Sequence, residues 1–385
     1  MGWLDGVRGV AALFVVLHHT WLAAFPHYPY NRGPWWLGWA LYGHFAVAVF
    51  IVVSGFSLGM APVRHGDRLP RGAGTFLRRR AWRILPPYWA ALALSMVVVA
   101  LVTGPRTGAT VNARSLVVFG LLAQDVVGAP APNGVFWSIA LEWHIYFLFP
   151  LVLLVSRRFG TRWAVGGSLA AVLTVYLLSQ TGPTLAKLDR LLPQFFGLFV
   201  LGVLAAKATV APPSPALRRL LTAALGGLSV VVVGLCVVEG SAWVVDQFFW
   251  MDLLVGAATA VLLGLLAAGS AVPARAVLGS RPLLFLGLFS YSIYLVHAPL
   301  LETGWLYGIR PLGLSPLASY WALLGTVPIV LTGCYLFFRV FEAPFLTARS
   351  WADVGRMLRR GRRRAEPAAG MPVAVPPEPA IVPAE

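Results

Sequence analysis

The sequence predicts an all-α polytopic membrane protein, a bundle of about ten transmembrane helices with both termini cytoplasmic. Three observations predict it. Hydrophobic residues fill 58% of the 385 positions and charged residues only 11%, a balance foreign to an ordinary soluble domain. Apolar runs such as 220–238 and 243–268 are long enough to cross a hydrocarbon core about 30 Å thick. The basic residues gather in alternate connections, as they do when a chain weaves through a bilayer.

Ten segments read as spans: 7–25, 41–61, 88–102, 136–155, 163–178, 191–206, 220–238, 243–268, 283–301 and 320–340. The third, fifth and sixth are short, so their ends are soft. With an inward N-terminus, 24 of the 30 Lys and Arg side chains fall on one side and 6 on the other, the asymmetry of a cytoplasmic face. The apolar segment 115–127 can be an eleventh span or a half-inserted helix. Granting a full span would move Arg157, Arg158 and Arg162 to the sparse side, so the segment reads as non-spanning. Residues 1–346 then form one membrane domain. Residues 347–385 form a cytoplasmic tail, basic to Arg364 and Pro/Ala-rich and disordered beyond it.

The first apolar segment has no basic stretch before it and holds histidines where a cleavage site needs small residues, so it reads as a retained span. The net charge of +16 suggests nucleic acid, but its one-sided placement fits the lipid bilayer instead, and no nucleic-acid partner is expected. Cys236 and Cys334 both lie within apolar spans and read as packing residues. No His or Cys spacing suits a metal, and no Gly-rich phosphate loop or Gly-x-Ser-x-Gly elbow occurs.

The polar residues inside the spans are where chemistry is expected. In the first, Asp5 precedes Arg8 by three residues and can pair with it. Arg8 and His19 share a helical face about 16 Å apart. The loop before the third span contains Arg78-Arg79-Arg80-Ala81-Trp82-Arg83, in which Arg80 and Arg83 would share a face suited to a polyanion with several phosphates; the plainer reading is a topology signal. Ser138, Glu142 and Tyr146 form one polar stripe at i, i+4, i+8 in the fourth span, while His144 points away from it. Ser290, Tyr294 and His297 repeat the pattern in the ninth. Ser54 precedes Gly55, which permits close helix approach, and reads as a packing or substrate-lining residue. Glu142 can be a structural ion-pair partner, and His19 a histidine merely hydrogen-bonded within the bundle. Glu342, followed by Pro344, reads as a helix terminus, and Asp252 is an intramembrane acid without a motif.

Taken in order, these pieces resemble the membrane acyltransferase-3 family of O-acyltransferases. The resemblance rests on Leu4-Asp5-Gly6-Val7-Arg8-Gly9 with His19, on Ser54-Gly55-Phe56, and on Phe76-Leu77-Arg78-Arg79-Arg80-Ala81-Trp82-Arg83. It continues through Trp137-Ser138-Ile139-Ala140-Leu141-Glu142 with Tyr146 and Pro150, Ser290-Tyr291-Ser292-Ile293-Tyr294-Leu295-Val296-His297, and Phe341-Glu342-Ala343-Pro344, covering about residues 4 to 346. Each motif is loose alone; six in this order on ten spans are specific. The family's first-span histidine falls on His19 and its Arg-x-x-Arg pair on Arg80 and Arg83. The chain departs from the pattern in starting almost at the first motif, which leaves room for a true start upstream. It also has no extracellular esterase-like domain.

The resemblance implies transfer of a short acyl group, acetyl first, from acyl-CoA as co-substrate, with no bound cofactor. The acceptor is a hydroxyl of a sugar, a glycan or a macrolide-type natural product, and the place a bacterial plasma membrane. Arg80 and Arg83 then hold CoA phosphates. His19 is the general base, and its ordinary pKa suits neutral pH. Glu142 or another acid orients the imidazole and stabilises its charged form; Asp5, Arg8, Ser54, Tyr146, Tyr294 and His297 line the substrate path. The rival reading is a transporter that uses His and Glu as an intramembrane proton relay. Weak support for inverted repeats counts against it.

Overall fold

The structure, a computed structural model, describes residues 1–347 together with Asp353 and Arg356. The expected basic and Pro/Ala-rich tail otherwise lies outside the described residues. Among these residues there is no strand. Nine helices are long and apolar enough to cross a membrane, and a bent pair supplies a tenth crossing.

The ten crossings match the ten expected segments in order. They are Gly2–Ala24, Trp35–Arg64, Gly72–Thr107, Gly134–Phe159, Thr161–Ser179, Leu185–Thr209, Pro215–Val238, Phe248–Ala267, the pair Arg281–Leu288 and Ser290–Leu312, and Pro316–Leu346. They are numbered one to ten here. The short helix Ala113–Gly120 has only 8 residues and is far from the ~20 a span needs, so segment 115–127 does not cross. Asn112 caps it by accepting from the Ser115 backbone N–H, and Tyr88 and Trp89 of span three donate to the carbonyls of Phe119 and Gly120 at its end.

Three elements differ from the sequence expectation. The arginine-rich segment is not a loop but the first turns of span three, a 36-residue helix. Pro86 and Pro87 lie inside that helix without ending it, as membrane helices allow when neighbours satisfy the freed carbonyls. Span nine is not straight: its halves meet at Phe289 with a bend of 75°. The expected eighth span, 243–268, divides into Gly240–Asp246 and Phe248–Ala267, with Gln247 between them.

Burial divides the bundle into centre and fringe. At least half of the apolar window is buried in spans one, two, four, six and eight, against 11% in span five and none in span seven. The last two therefore present apolar side chains outward, where lipid is their only suitable solvent. At the centre, spans two and six touch backbone to backbone. A Cβ on Gly55 would lie 2.0 Å from the Phe199 carbonyl oxygen, and one on Gly202 would lie 2.1 Å from that of Val52. Only glycine admits this approach, so the small-residue reading of Gly55 holds.

Candidate active site

A cavity of about 290 Å³ opens between spans one, two, three, four and nine. Span two contributes the residues from Val47 to Leu58 that face it, so the cavity runs about 16 Å along that helix. One end is cationic, lined by Arg8, Arg80 and Arg83. Its middle holds Ser54, Glu142 and Tyr146, and its far end is lined by Val47, Phe50, Ser138 and Tyr294.

Each cationic residue is placed by its helix. Gly6 and Gly9 let span one settle onto the segment before the bend, where a Cβ on Gly6 would lie 1.8 Å from the Leu278 carbonyl oxygen. That fixes Asp5 and Arg8. Arg8 Nη1 donates to Asp5 Oδ1 at 2.7 Å and Nη2 to Ser57 Oγ at 2.6 Å. Asp5 sits behind Arg8, outside the cavity lining. Arg80 and Arg83 share the face expected from their spacing, and both line the cavity. Among the described residues neither has an acidic partner within ion-pair distance, and Nε of Arg80 is buried without a hydrogen bond. Unpaired guanidiniums in a concave site are provision for an anion.

The stripe of span four also comes together as spaced. Glu142 Oε1 accepts from Ser54 Oγ at 2.5 Å and from Tyr146 OH at 2.5 Å. Ser138 and Tyr294 hydroxyls lie 2.6 Å apart. His144 points away, toward Asp125 at 2.8 Å.

Beyond Tyr294 stand two histidines that do not line the cavity. His297 Nδ1 lies 2.7 Å from the carbonyl oxygen of Ile293 and 3.0 Å from that of Tyr294, so it carries the proton. Its Nε2 is then an acceptor, 3.3 Å from Nδ1 of His19. His19 Nδ1 also lies 2.9 Å from the Val15 carbonyl oxygen and is likewise the protonated nitrogen. These contacts leave Nε2 of His19 as a free lone pair, the form a general base requires. His18 instead points to the Ala40 carbonyl oxygen at 2.9 Å.

The family model described as an acyltransferase domain, of the acyltransferase-3 type, matches residues 1–339. The chain belongs to the acyltransferase-3 family. Acyltransferase MdmB of Streptomyces mycarofaciens is 28% identical over 329 residues, 80% of each chain. Nodulation protein 10 of Rhizobium leguminosarum bv. viciae is 27% identical over 365 residues, 83% of this chain and 91% of the relative. No solved structure matches. This acyltransferase-3 chain is thus a multi-pass membrane acyltransferase.

Several placements in this acyltransferase-3 protein differ from the sequence reading, beginning with Asp5, His19 and His297, which stand outside the cavity lining. Glu142 does not touch His19: its partners are hydroxyls in mid-cavity, and the ring bonded to His19 belongs to His297. The reason is depth, since His19 lies about three turns along span one from the arginine level that Glu142 neighbours. Glu342 is not a plain helix end: it is buried and accepts from the Ser292 N–H at 3.1 Å and from Ser292 Oγ at 2.5 Å, tying span ten to the bend of span nine.

Sequence reasoning missed Ser57, which holds Arg8, and Tyr291, which lines the cavity and donates to the Ile84 carbonyl at 3.2 Å. Ser57 lies three residues from Ser54 on the same face, a spacing that could have found it. Asp252 now has partners, His44 at 3.1 Å and Gln194 at 3.2 Å, which come from distant helices and leave no local pattern.

Proposed function

We propose that this protein transfers a short acyl group, acetyl in the first instance, from acyl-CoA to a hydroxyl of a carbohydrate, a glycan or a glycosylated natural product. It does so in a bacterial plasma membrane. The observation that carries the reading is the order of groups by depth: three guanidiniums at one end of the cavity, an apolar and hydroxyl-lined passage, and, beyond Tyr294 and outside the cavity lining, a base with a free lone pair. A CoA donor has that same order, with phosphates first, then a narrow arm, then the thioester.

In this reading both termini are cytoplasmic and the arginine end opens to the cytoplasm, where acyl-CoA is made. Arg80 and Arg83 hold phosphate oxygens, and Arg8, backed by Asp5 and Ser57, guides the arm past them. Glu142, fixed through Ser54 and Tyr146, supplies the counter-charge to this cationic passage. Nε2 of His19 takes the proton of the acceptor hydroxyl while its oxygen attacks the thioester carbonyl. The carbon–sulfur bond breaks, and the departing thiolate takes the proton back from His19. The products are the ester and free CoA, so no net proton leaves the site. His297 keeps His19 in the working tautomer.

The test is release of CoA thiol from acetyl-CoA by the purified protein, with and without a panel of glycans and macrolides. Acceptor-dependent release supports the reading; an inert protein across donors and acceptors contradicts it.

A further inference from the structure

Tyr294 occupies the boundary between the two halves of the site. Its side chain lines the cavity, while its ring centroid lies 6.2 Å from that of His297, which does not. The tyrosine is only 6% exposed, and nothing about it is loose. Its hydroxyl is held at 2.6 Å by Ser138 of span four, itself buried, and its ring meets Phe50 of span two edge-on at 6.0 Å. Three helices therefore fix one ring at the end of the cavity away from the arginines.

Levels along the helices place this ring between the cavity and the histidine pair. Arg8 is bonded to Ser57, and the ten residues from Ser57 to Val47 carry the cavity about 15 Å away from the arginines. The eleven residues from Arg8 to His19 carry span one about 16 Å in parallel. The cavity floor and the histidine pair are thus at one depth, with Tyr294 between them. An acyl group reaching from the cavity toward the histidine pair has to meet the Tyr294 ring and its neighbour Phe50.

We infer that Tyr294, latched by Ser138 and backed by Phe50, is the wall against which the acyl group seats, and that it sets the chain length the enzyme accepts. This rests on the acyl-CoA reading given above. The wall favours a two-carbon group because added methylenes meet a ring that cannot turn while its hydroxyl is bonded to Ser138. Packed interiors yield little to one extra methylene, which is why pockets of this kind discriminate chain length.

The experiment measures kcat/KM for acetyl-, butyryl- and hexanoyl-CoA in the wild type and in Tyr294→Ala, Tyr294→Phe and Ser138→Ala. In Tyr294→Ala the butyryl-to-acetyl ratio is expected to rise at least tenfold. Ser138→Ala, which frees the ring without removing it, is expected to raise the ratio by a smaller factor and guards against misfolding of the alanine variant at 294. Tyr294→Phe keeps the ring against Phe50 and is expected to stay nearer the wild-type ratio than Tyr294→Ala. A merely structural role would lower all three donors together and leave the ratio fixed, and that result overturns the inference. A wild type that releases thiol from no acyl-CoA defeats the donor assignment first, and the inference with it.

Discussion

Nε2 of His297 lies 3.3 Å from Nδ1 of His19, so two histidines 278 positions apart in sequence form one unit at the centre of the bundle. The pair is asymmetric. His297 is fully buried and fixed by two carbonyls of its own helix, whereas His19 keeps one ring nitrogen without a protein hydrogen bond. On the proposed function, one ring positions and the other reacts.

The division of labour predicts unequal losses. His19→Ala should lower turnover by about 10²–10⁴-fold, the usual worth of a general base. His18→Ala should be far milder, because that ring packs against the Ala40 carbonyl. The comparison requires purified variants of equal folded yield. An essential His18 beside a dispensable His19 would move the base by one residue.

His297→Ala should reduce kcat less than His19→Ala, by about one to two orders of magnitude, since the base survives but loses the partner that fixes its tautomer. His297→Gln, which can still offer an acceptor to His19, should recover part of the loss. Unchanged kcat in His297→Ala would show that His19 is oriented by Val15 alone.

Much of this site was legible in the sequence, and the reasons are local. The Ser138, Glu142 and Tyr146 stripe, the Asp5–Arg8 pair and the Arg80–Arg83 face all follow from helical spacing, and the structure brings each together as spaced. The span count followed from the apolar segments together with the one-sided placement of Lys and Arg, and ten crossings match it. What stayed hidden depends on packing between distant helices. The bend at Phe289 carries no proline at the break, and the partner of His19 comes from the far end of the chain. The arginine segment shows its helical spacing, but its charge and Pro86-Pro87 hid its continuity with span three.

The arginines separate two explanations of that segment. Replacing Arg80 or Arg83 by Ala should weaken acyl-CoA binding by about 1.5–3 kcal/mol, the worth of a charged hydrogen bond. Lysine should rescue poorly if the planar fork grips phosphate, and fully if the segment only directs insertion. The measurement is apparent affinity for acyl-CoA, with insertion checked in parallel. Wild-type affinity in both Arg83→Ala and Arg83→Lys would leave the segment a topology signal.

Orientation has its own test. Single cysteines placed beside Arg106 or Arg310 should react with impermeant thiol reagents from outside the cell, and one beside Arg158 should not. Reaction at Arg158 from outside would invert or renumber the crossings on that side of the bundle.

The contact of spans two and six predicts a stability loss without any chemistry. Gly55→Val forces side-chain atoms into the Phe199 carbonyl and should cost at least ~1–3 kcal/mol, visible as a lower unfolding temperature in detergent. An unshifted transition would mean that the two spans separate easily.

The account stands most directly on one comparison: acceptor-dependent release of CoA thiol from acetyl-CoA by wild type and by His19→Ala, prepared identically. The account predicts steady release by the wild type that rises with a hydroxyl-bearing glycan or macrolide, and loss of at least a hundredfold in the variant. Equal rates in the two proteins would contradict it, because the lone pair on Nε2 of His19 would then have no part in the transfer.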